Sequence, residues 1–180
     1  MLQPIKNYSL KCIVSSLTFL LCFFPNVFSS QPNNFENHSQ LIYLLTRSFE
    51  WPPENKSGDF IIGVYNNDQA YESMQRVMFA KYKERQEIKI KNIVRIEDVK
   101  MCQILFLPDH NSANFDVLND QAKKNSTLVM TQNEEGFPEG SCLNFYVSNG
   151  RLKFDLNSSE IEKRNIKIHA GLLDFIEHRE

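Results

Sequence analysis

The side chains best placed to do chemistry follow three short runs of apolar residues, at the points where each run ends. The runs cover residues 60–65, 103–107 and 126–131. Short, almost wholly apolar runs are typical of strands buried on both faces of a parallel sheet. Ligands of such sheets bind beyond the carboxyl ends of the strands. The candidate ligand or partner residues are therefore the polar residues after the runs: Asn66, Asn67, Asp68, Asp109, His110, Gln132 and Asn133.

The same residue types have a simpler structural explanation. Asn and Asp are preferred at helix N-caps, where a side-chain oxygen accepts a hydrogen bond from a free backbone N–H group. Capping of the following helices would account for these residues without any ligand. The sequence leaves both interpretations open.

Familiar catalytic and cofactor-binding patterns do not fit this chain. A phosphate-binding loop would place a Gly-rich segment after the first strand, whereas residues 65–68 read Tyr-Asn-Asn-Asp. A phospho-receiver would need an acidic pair at the same place. No Gly-x-Ser-x-Gly elbow of a serine hydrolase is present. The histidines show no i,i+4 pairing or other metal-ligand spacing: His38, His110, His169 and His178. We expect no catalytic residue, no metal and no cofactor.

The first 29 residues have the composition of a secretory signal peptide. Lys6 and Lys11 precede the apolar run 12–24, and small or permissive residues lead to a cleavage site near Ser29. The run is too short for an ordinary membrane span. An uncleaved membrane anchor is the alternative. We expect residues 30–34 to be a mobile leader, and residues 35–180 to form a single exported domain.

Two cysteines would remain in the exported chain, Cys102 and Cys142, each at the start of a predicted strand. They are a candidate disulfide, because exported proteins meet an oxidising environment. Whether the strand starts lie within bridging distance does not follow from the sequence. The alternative is a pair of buried, unpaired thiols.

The composition is that of a globular protein and does not favour nucleic acid as a partner. The chain has 180 residues, 42% of them hydrophobic, and a formal net charge of −2. Without residues 1–29, 18 basic side chains would face 22 acidic ones. A nucleic-acid-binding surface would require a basic excess.

Alternating strand and helix patterns predict how these residues are positioned. The order predicts an α/β fold of three layers, in which a mostly parallel sheet of flavodoxin-like or receiver-like outline has helices on both faces. The predicted helices cover residues 35–51, 69–83, 114–124 and 170–176, with a further one starting at the Ser159–Glu162 capping box. The predicted strands add residues 88–94 to the three apolar runs, followed by a short helical turn at 96–101.

A β-hairpin over residues 142–157 is the most completely specified element, and we place it antiparallel at one edge of the sheet. Asn149-Gly150 favours a two-residue type I′ turn, since both central positions of that turn need a positive φ. The turn then pairs Ser148 with Arg151 and puts six apolar side chains on one face: Leu143, Phe145, Val147, Leu152, Phe154 and Leu156. A shift by one residue would split this set between the faces. We expect the C-terminal helix to cover it.

Four stretches of the chain resemble the YfiR/HmsC-like family of bacterial periplasmic proteins. The first three are the opening helix that ends in Trp51-Pro52, the first strand at 60–65 and the Cys-led middle strand at 102–107. The closing segment 143–157, continued by Ile166–Ile168 and Leu172-Leu173, is the most specific. Together they cover about residues 35–176.

The resemblance implies a regulator without enzymatic activity. In the characterised branch of the family, such a protein binds the periplasmic sensor domain of an inner-membrane diguanylate cyclase and represses it, which controls cyclic-di-GMP and biofilm formation. An outer-membrane lipoprotein partner relieves the repression, and the usual form is a homodimer. Better-known members carry more cysteines than this chain does, which argues against a redox switch. A periplasmic small-ligand-binding sensory module is the alternative function.

Overall fold

A computed structural model describes the backbone of residues 35–109 and 113–177 and the side chains as far as Asp174. The expected signal peptide and leader, residues 1–34, lie outside the described residues, as does His110. The described residues all belong to one compact unit.

Helices and strands alternate along the described chain. The helices are α1 (Phe35–Thr46), α2 (Asp68–Met78), α3 (Phe115–Lys124), α4 (Ser158–Glu162) and α5 (Ala170–Glu177), with 3₁₀ turns at Pro53–Asn55 and Ile96–Met101. The strands are β1 (Phe49–Glu50), β2 (Phe60–Tyr65), β3 (Tyr82–Lys83), β4 (Gln86–Ile93), β5 (Ile104–Leu107), β6 (Leu128–Gln132), β7 (Leu143–Ser148), β8 (Arg151–Leu156) and β9 (Lys167–Ile168).

Seven of these strands form one mostly parallel sheet in the order β3-β4-β2-β5-β6-β7-β8. Strands β4, β2, β5, β6 and β7 are mutually parallel, whereas β3 and β8 run antiparallel at the two edges. Numbered along the chain, the parallel strands have the order 2-1-3-4-5, which is that of flavodoxin-like sheets. The expectation of a mostly parallel α/β sheet is therefore confirmed.

The flavodoxin-like outline holds only in part, because no helix connects β6 to β7. Residues 133–142 make this parallel crossover as a loop. Buried polar side chains hold the loop in place: the Asn144 amide donates to the Asn133 carbonyl at 2.9 Å, and the Thr131 and Ser141 hydroxyls lie 3.0 Å apart. These bonds supply partners for polar groups that a crossover helix would otherwise satisfy internally.

The core lies between the central strands and the helices on both sheet faces. The side chains of Ile62, Val64, Ile104 and Phe106 are fully buried. Phe35 and His38 of α1 contact the Phe106 ring, at centroid distances of 6.3 and 6.1 Å. Cys102 directly follows the 96–101 turn. A Cβ atom added to Gly63 would lie only 2.7 Å from the Cys102 Sγ atom. The Ile93 side chain would be equally close, so a side chain at position 63 would force Cys102 or Ile93 to move.

The hairpin has the predicted register. Ser148 pairs with Arg151 and Leu143 with Leu156. Asn149 and Gly150 have φ values of 53° and 70°, as a type I′ turn requires.

The expected cover of the hairpin was wrong in part. Phe145 is buried and its ring contacts His38 of α1, with 5.5 Å between the ring centroids, so the first helix packs on this face. Val147, in contrast, is 51% exposed. The apolar face of the hairpin is therefore only partly covered by the described residues.

Several element boundaries differ from the sequence prediction, and three of these differences lie at helix ends. Helix α1 ends at Thr46, because Phe49-Glu50 instead pairs antiparallel with Lys167-Ile168 as a separate two-stranded sheet. Helix α2 ends at Met78, and Ala80 has a positive φ of 53° that turns the chain into β3. Helix α4 begins at Ser158 with Asn157 as its N-cap, whose side chain accepts from the Glu160 N–H at 3.1 Å. Ser159 is therefore not the cap.

Candidate functional site

The sheet brings three of the predicted site residues to one edge. Strands β2, β5 and β6 are parallel neighbours, so Asn66, Asp109 and Asn133 follow adjacent strands at their carboxyl ends. His110 comes next after Asp109 but lies outside the described residues. This row is where a ligand of an α/β sheet would bind.

Most polar groups at the start of this row already have structural partners. The Asn67 side chain caps α2 by accepting from the Ala70 N–H at 2.9 Å. Asp68 accepts from the Asn92 amide at 2.9 Å. Asn66 adopts a positive φ of 48°, and its N–H donates to the Ile93 carbonyl. These contacts fit the capping interpretation.

At the end of β6, Asn133 shapes a turn. Its side-chain oxygen accepts from the Glu135 N–H at 3.0 Å, and its N–H donates to the Phe145 carbonyl at 3.1 Å. Gln132, just before it, is half-buried, and Asp109 is exposed. In this row, Asn66, Asn67 and Asn133 hold turns and a helix cap by hydrogen bonds. Asp109 is exposed to solvent.

A cation-lined groove of about 650 Å³ lies elsewhere, and sequence reasoning missed it. Tyr43 is one of its lining residues, and Lys81 Nζ lies 4.3 Å and the Arg47 guanidinium 5.2 Å from the centroid of the Tyr43 ring. The complete lining is Tyr43, Arg47, Ala80–Glu84 and His169. These residues come from three distant parts of the chain, so no local spacing could reveal them.

Lys83 gives this groove a largely buried positive charge. Its side chain is 9% exposed, and its ammonium lies 5.6 Å from the centroid of the Trp51 ring and 3.4 Å from the Glu84 carboxylate. Trp51 is fixed in turn, because its indole N–H donates to the Gln103 carbonyl at 3.1 Å. The groove could therefore hold a small anion against Tyr43.

A second groove, of about 620 Å³, lies between the end of α2 and strand β4. Phe79 stands on its rim with 84% of its side chain exposed, the largest exposed fraction among the large hydrophobic residues described. The lining is Gln75, Arg76, Met78–Ala80 and Glu87–Ile90. We call this the Phe79 groove. Exposed apolar surface rimmed by polar residues is typical of protein interaction sites.

Both predicted disulfide cysteines are buried free thiols in the structure, which therefore has no bond between them. Burial raises the pKa of the Cys102 thiol to about 12 and that of Cys142 to about 11. Thiols of this kind are neutral and poorly nucleophilic at neutral pH. They are core residues in this structure.

The most strongly perturbed carboxyl group belongs to a buried ion cluster on α4. Burial raises the pKa of Glu160, but hydrogen bonds from Lys163, Arg164 and Lys123 outweigh it and lower that pKa to about 2. The fully buried Arg164 also donates to the carbonyl of Gly140 at 3.0 Å. Through Arg164, the cluster ties the Glu160 carboxylate of α4 to the β6–β7 loop, which is a structural role.

Within the described residues, no three or more His, Cys, Asp and Glu side chains are grouped so that they could hold a metal ion. No helix in the described part of the chain is long and apolar enough to cross a membrane.

Comparison with known proteins identifies the family. No curated protein matches the chain. The sequence profile of the YfiR/HmsC-like family matches residues 35–175, a range that contains all nine strands of the described chain. The chain therefore belongs to the YfiR/HmsC-like family.

Proposed function

We propose that the protein is a non-enzymatic periplasmic regulator that binds the periplasmic sensor domain of an inner-membrane diguanylate cyclase and holds the enzyme inactive. The observation that carries this proposal is the family match over residues 35–175. The YfiR/HmsC-like family consists of regulatory domains that are in general periplasmic. Release of the repression by an outer-membrane lipoprotein belongs to the same proposal, as does a homodimeric form.

The Phe79 groove is the surface that best fits such a partner. Phe79 is 84% exposed, and Ile88 and Ile90 of β4 add apolar side chains to the groove lining. Burying apolar surface contributes about 25 cal/mol per Å², and large aromatic side chains dominate the energetics of many interfaces. Arg76 stands among the lining residues and would favour an acidic contact, whereas Lys89 is paired with Glu87 of the same lining.

The function is tested by deleting the gene in a strain that carries a candidate partner cyclase. Cyclic-di-GMP and biofilm should both rise, and a plasmid copy of the gene should restore them. Unchanged cyclic-di-GMP in that strain would contradict the proposal. Fractionation of the cells adds the location: the protein should be released with the periplasm.

The docking surface is tested by Phe79→Glu, measured as binding to the purified sensor domain. We expect the affinity to fall at least tenfold, because a charge replaces the exposed ring at the centre of the contact. Val117→Glu is the matched control, since Val117 is also exposed, at 50%, but lies on α3. Equal losses in both variants, or in neither, would place the interface elsewhere.

The cation-lined groove favours a second function, a small-ligand-binding sensory module. Arg47 and Lys81 contact the Tyr43 ring there, and Lys83 and Glu84 complete the charged part of the lining. A small anion with an apolar or aromatic part would suit this surface. The carboxyl-end residues, Asn66, Asp68, Asp109, His110 and Asn133, are the other proposed ligand or partner site.

A thermal-shift screen of anionic metabolites separates the two ligand surfaces. A ligand of the groove should raise Tm in the parent and lose that effect in Arg47→Gln, whereas Asp109→Asn should retain it. A rise in Tm that is kept in Arg47→Gln and lost in Asp109→Asn would favour the residues at the carboxyl ends of the strands. No shift with any metabolite would count against the sensory module. Ligand binding could also control partner binding by shifting the population of a binding-competent state.

A further inference from the structure

Strand β4 leaves most of its outer edge without a neighbouring strand. It is the second strand of the sheet, and β3 pairs only with Gln86 and Glu87 at its start. The Ile88 N–H also bonds on this side, by donating to the Lys81 carbonyl at 2.9 Å. Beyond Ile88, residues 89–93 pair with β2 and with no other strand of the described chain.

The hydrogen-bond pattern of β4 shows which of its backbone groups face outward. The Ile93 carbonyl accepts from the Asn66 N–H at 3.2 Å, so the odd-numbered residues of β4 bond to β2. In a parallel pair, the residues between them point their N–H and C=O groups the other way. The backbone groups of Ile90 and Asn92 are therefore directed away from the sheet. Such an edge is a template for an added strand.

Exposed apolar side chains flank this edge on both faces of the sheet. On one face the edge adjoins the Phe79 groove, whose lining includes Ile90. Tyr82 of β3 is on the opposite face and is 52% exposed. Met101, 38% exposed, lies near that second face, with its sulfur 3.8 Å from the Lys91 ammonium. A strand added here therefore buries apolar surface on both of its faces.

The open part of the edge is positively charged. Residues 89–93 read Lys-Ile-Lys-Asn-Ile and contain no acidic side chain. The Lys89 ammonium is partly neutralised, since it lies 2.5 Å from the Glu87 carboxylate. Lys91 forms no ion pair with any residue that the structure describes. Its charge is therefore available to an acidic group of a partner.

We propose that the open edge of β4 binds an extended, acidic segment of the partner, which joins the sheet as an additional strand beside residues 89–93. Backbone hydrogen bonds to Ile90 and Asn92 supply affinity. Specificity comes from an acidic side chain opposite Lys91 and from apolar side chains at the adjacent positions, which face the Phe79 groove. This inference rests on the proposed function, since the segment is assigned to the sensor domain of the cyclase.

A second copy of β4 does not suit this edge. Self-pairing is confined to the open residues 89–93, because β3 occupies the start of the strand. With no acid in this range, a second copy would only bring further positive charge towards Lys89 and Lys91. Lysines at a sheet edge oppose self-pairing in this way. The same two side chains attract an acidic strand, so they select the partner by both attraction and repulsion.

Amide hydrogen exchange of the purified protein, read residue by residue by NMR, tests the pairing. In the free protein, the N–H groups of Ile90 and Asn92 should exchange much faster than those of Lys89 and Lys91, which bond to β2. The probe is a peptide of alternating glutamate and valine. This peptide should slow exchange at Ile90 and Asn92, whereas the same peptide with lysine in place of glutamate should not.

Charge reversal tests the role of Lys91 in the same measurement. Lys91→Glu should reverse the preference between the two peptides, because an acid then faces the added strand. Lys153→Glu is the matched control, since it makes the same change of charge on β8, at the opposite edge of the sheet. This control should keep the preference of the parent.

A proline substitution isolates the backbone contribution to binding of the purified sensor domain. Ile90→Pro removes an N–H group that the fold does not use, a change that edge strands tolerate. Ile90→Ala is the matched control, since it removes the same apolar side chain and keeps the N–H. We expect Ile90→Pro to bind about tenfold more weakly than Ile90→Ala. Circular dichroism confirms that both variants are folded.

Unchanged exchange at Ile90 and Asn92 in the presence of the acidic peptide would overturn the inference. So would protection of these amides that grows with protein concentration alone, because the occupant would then be a second copy. Equal affinities of the two Ile90 variants for a sensor domain that binds the parent would also place the contact elsewhere. The regulatory function would survive each of these results, since it is judged separately by cyclic-di-GMP in cells.

Discussion

Arg164 and Glu160 form a buried ion pair one helical turn apart, with 2.9 Å between the guanidinium Nη1 and the carboxylate Oε2. The Arg164 side chain is fully buried, and it also donates to the Asn119 side-chain oxygen and to the Gly140 carbonyl. One side chain thus joins α3, α4 and the β6–β7 loop.

Removing the Glu160 charge should destabilise the protein strongly. Glu160→Gln leaves the Arg164 guanidinium buried without its counter-ion, a change that costs about 3 to 5 kcal/mol in buried pairs. Urea unfolding should show a correspondingly lower midpoint. Glu162→Gln is the control, since Glu162 is exposed on the same helix and should change stability little. Equal stability of the two variants would contradict a structural role for the pair.

The same pair predicts acid sensitivity. The pKa of Glu160 is about 2 in the folded protein, against an ordinary value of 4.5 in the unfolded chain. The depressed pKa therefore contributes stability that is fully present above about pH 4.5 and is lost as the pH falls towards 2, about 3 kcal/mol in all. Unfolding free energies measured across this range should fall less steeply in Glu160→Gln. If the unfolding free energies of the parent and of Glu160→Gln fell equally with pH, Glu160 would not be the cause of the acid sensitivity.

Cys102 and Cys142 should resist alkylation in the folded protein. Both thiols are buried, and burial raises their pKa values to about 12 and about 11, so almost no thiolate exists near pH 8. Mass spectrometry after iodoacetamide treatment should find both free of label in the native state and both labelled in denaturant. A peptide that links the two by a disulfide would show that the exported protein differs from this structure.

Gly150→Val should weaken the hairpin. Gly150 has a φ of 70°, a left-handed conformation that costs a residue with a side chain roughly 1–2 kcal/mol and a β-branched residue more. A Cβ at this position would meet no atom within 4 Å, so the whole effect would come from the backbone. Gly150→Asn, which tolerates this region, should lose much less stability in thermal unfolding. A Val variant as stable as the parent would mean that the turn rearranges freely.

Local patterns predicted the hairpin and the parallel strands because their signals lie within a few residues of sequence. Asn149-Gly150 fixes the turn, and the alternation around it fixes the faces, so the register followed. The length of α1 was beyond such reasoning. Phe49-Glu50 is not helical because it pairs with Lys167-Ile168, more than a hundred residues later in the chain. The sequence around Phe49 contains no signal for this pairing.

The candidate sites also differ in whether local sequence patterns could predict them. The carboxyl-end residues could be placed at one side of the sheet, because alternating strands and helices predict parallel strands, whose carboxyl ends lie on the same side. The groove around Tyr43 could not, because Tyr43, Lys81 and His169 converge only through the tertiary fold. Ion pairs that span elements, such as Arg164 with the β6–β7 loop, are equally invisible to local spacing.

The two-residue pairing between β1 and β9 sets an order of events during synthesis. The His169 N–H donates to the Ser48 carbonyl at 2.9 Å, next to the pairing of Phe49 with Ile168. A chain made from its N-terminus has α1 and Phe49 early, but their partner strand appears only near the end of translation. Phe49 is fully buried in the folded domain. During synthesis it therefore stays partly exposed to solvent until about residue 168 has been translated. Protection of Phe49 from solvent would thus report completion of the whole domain.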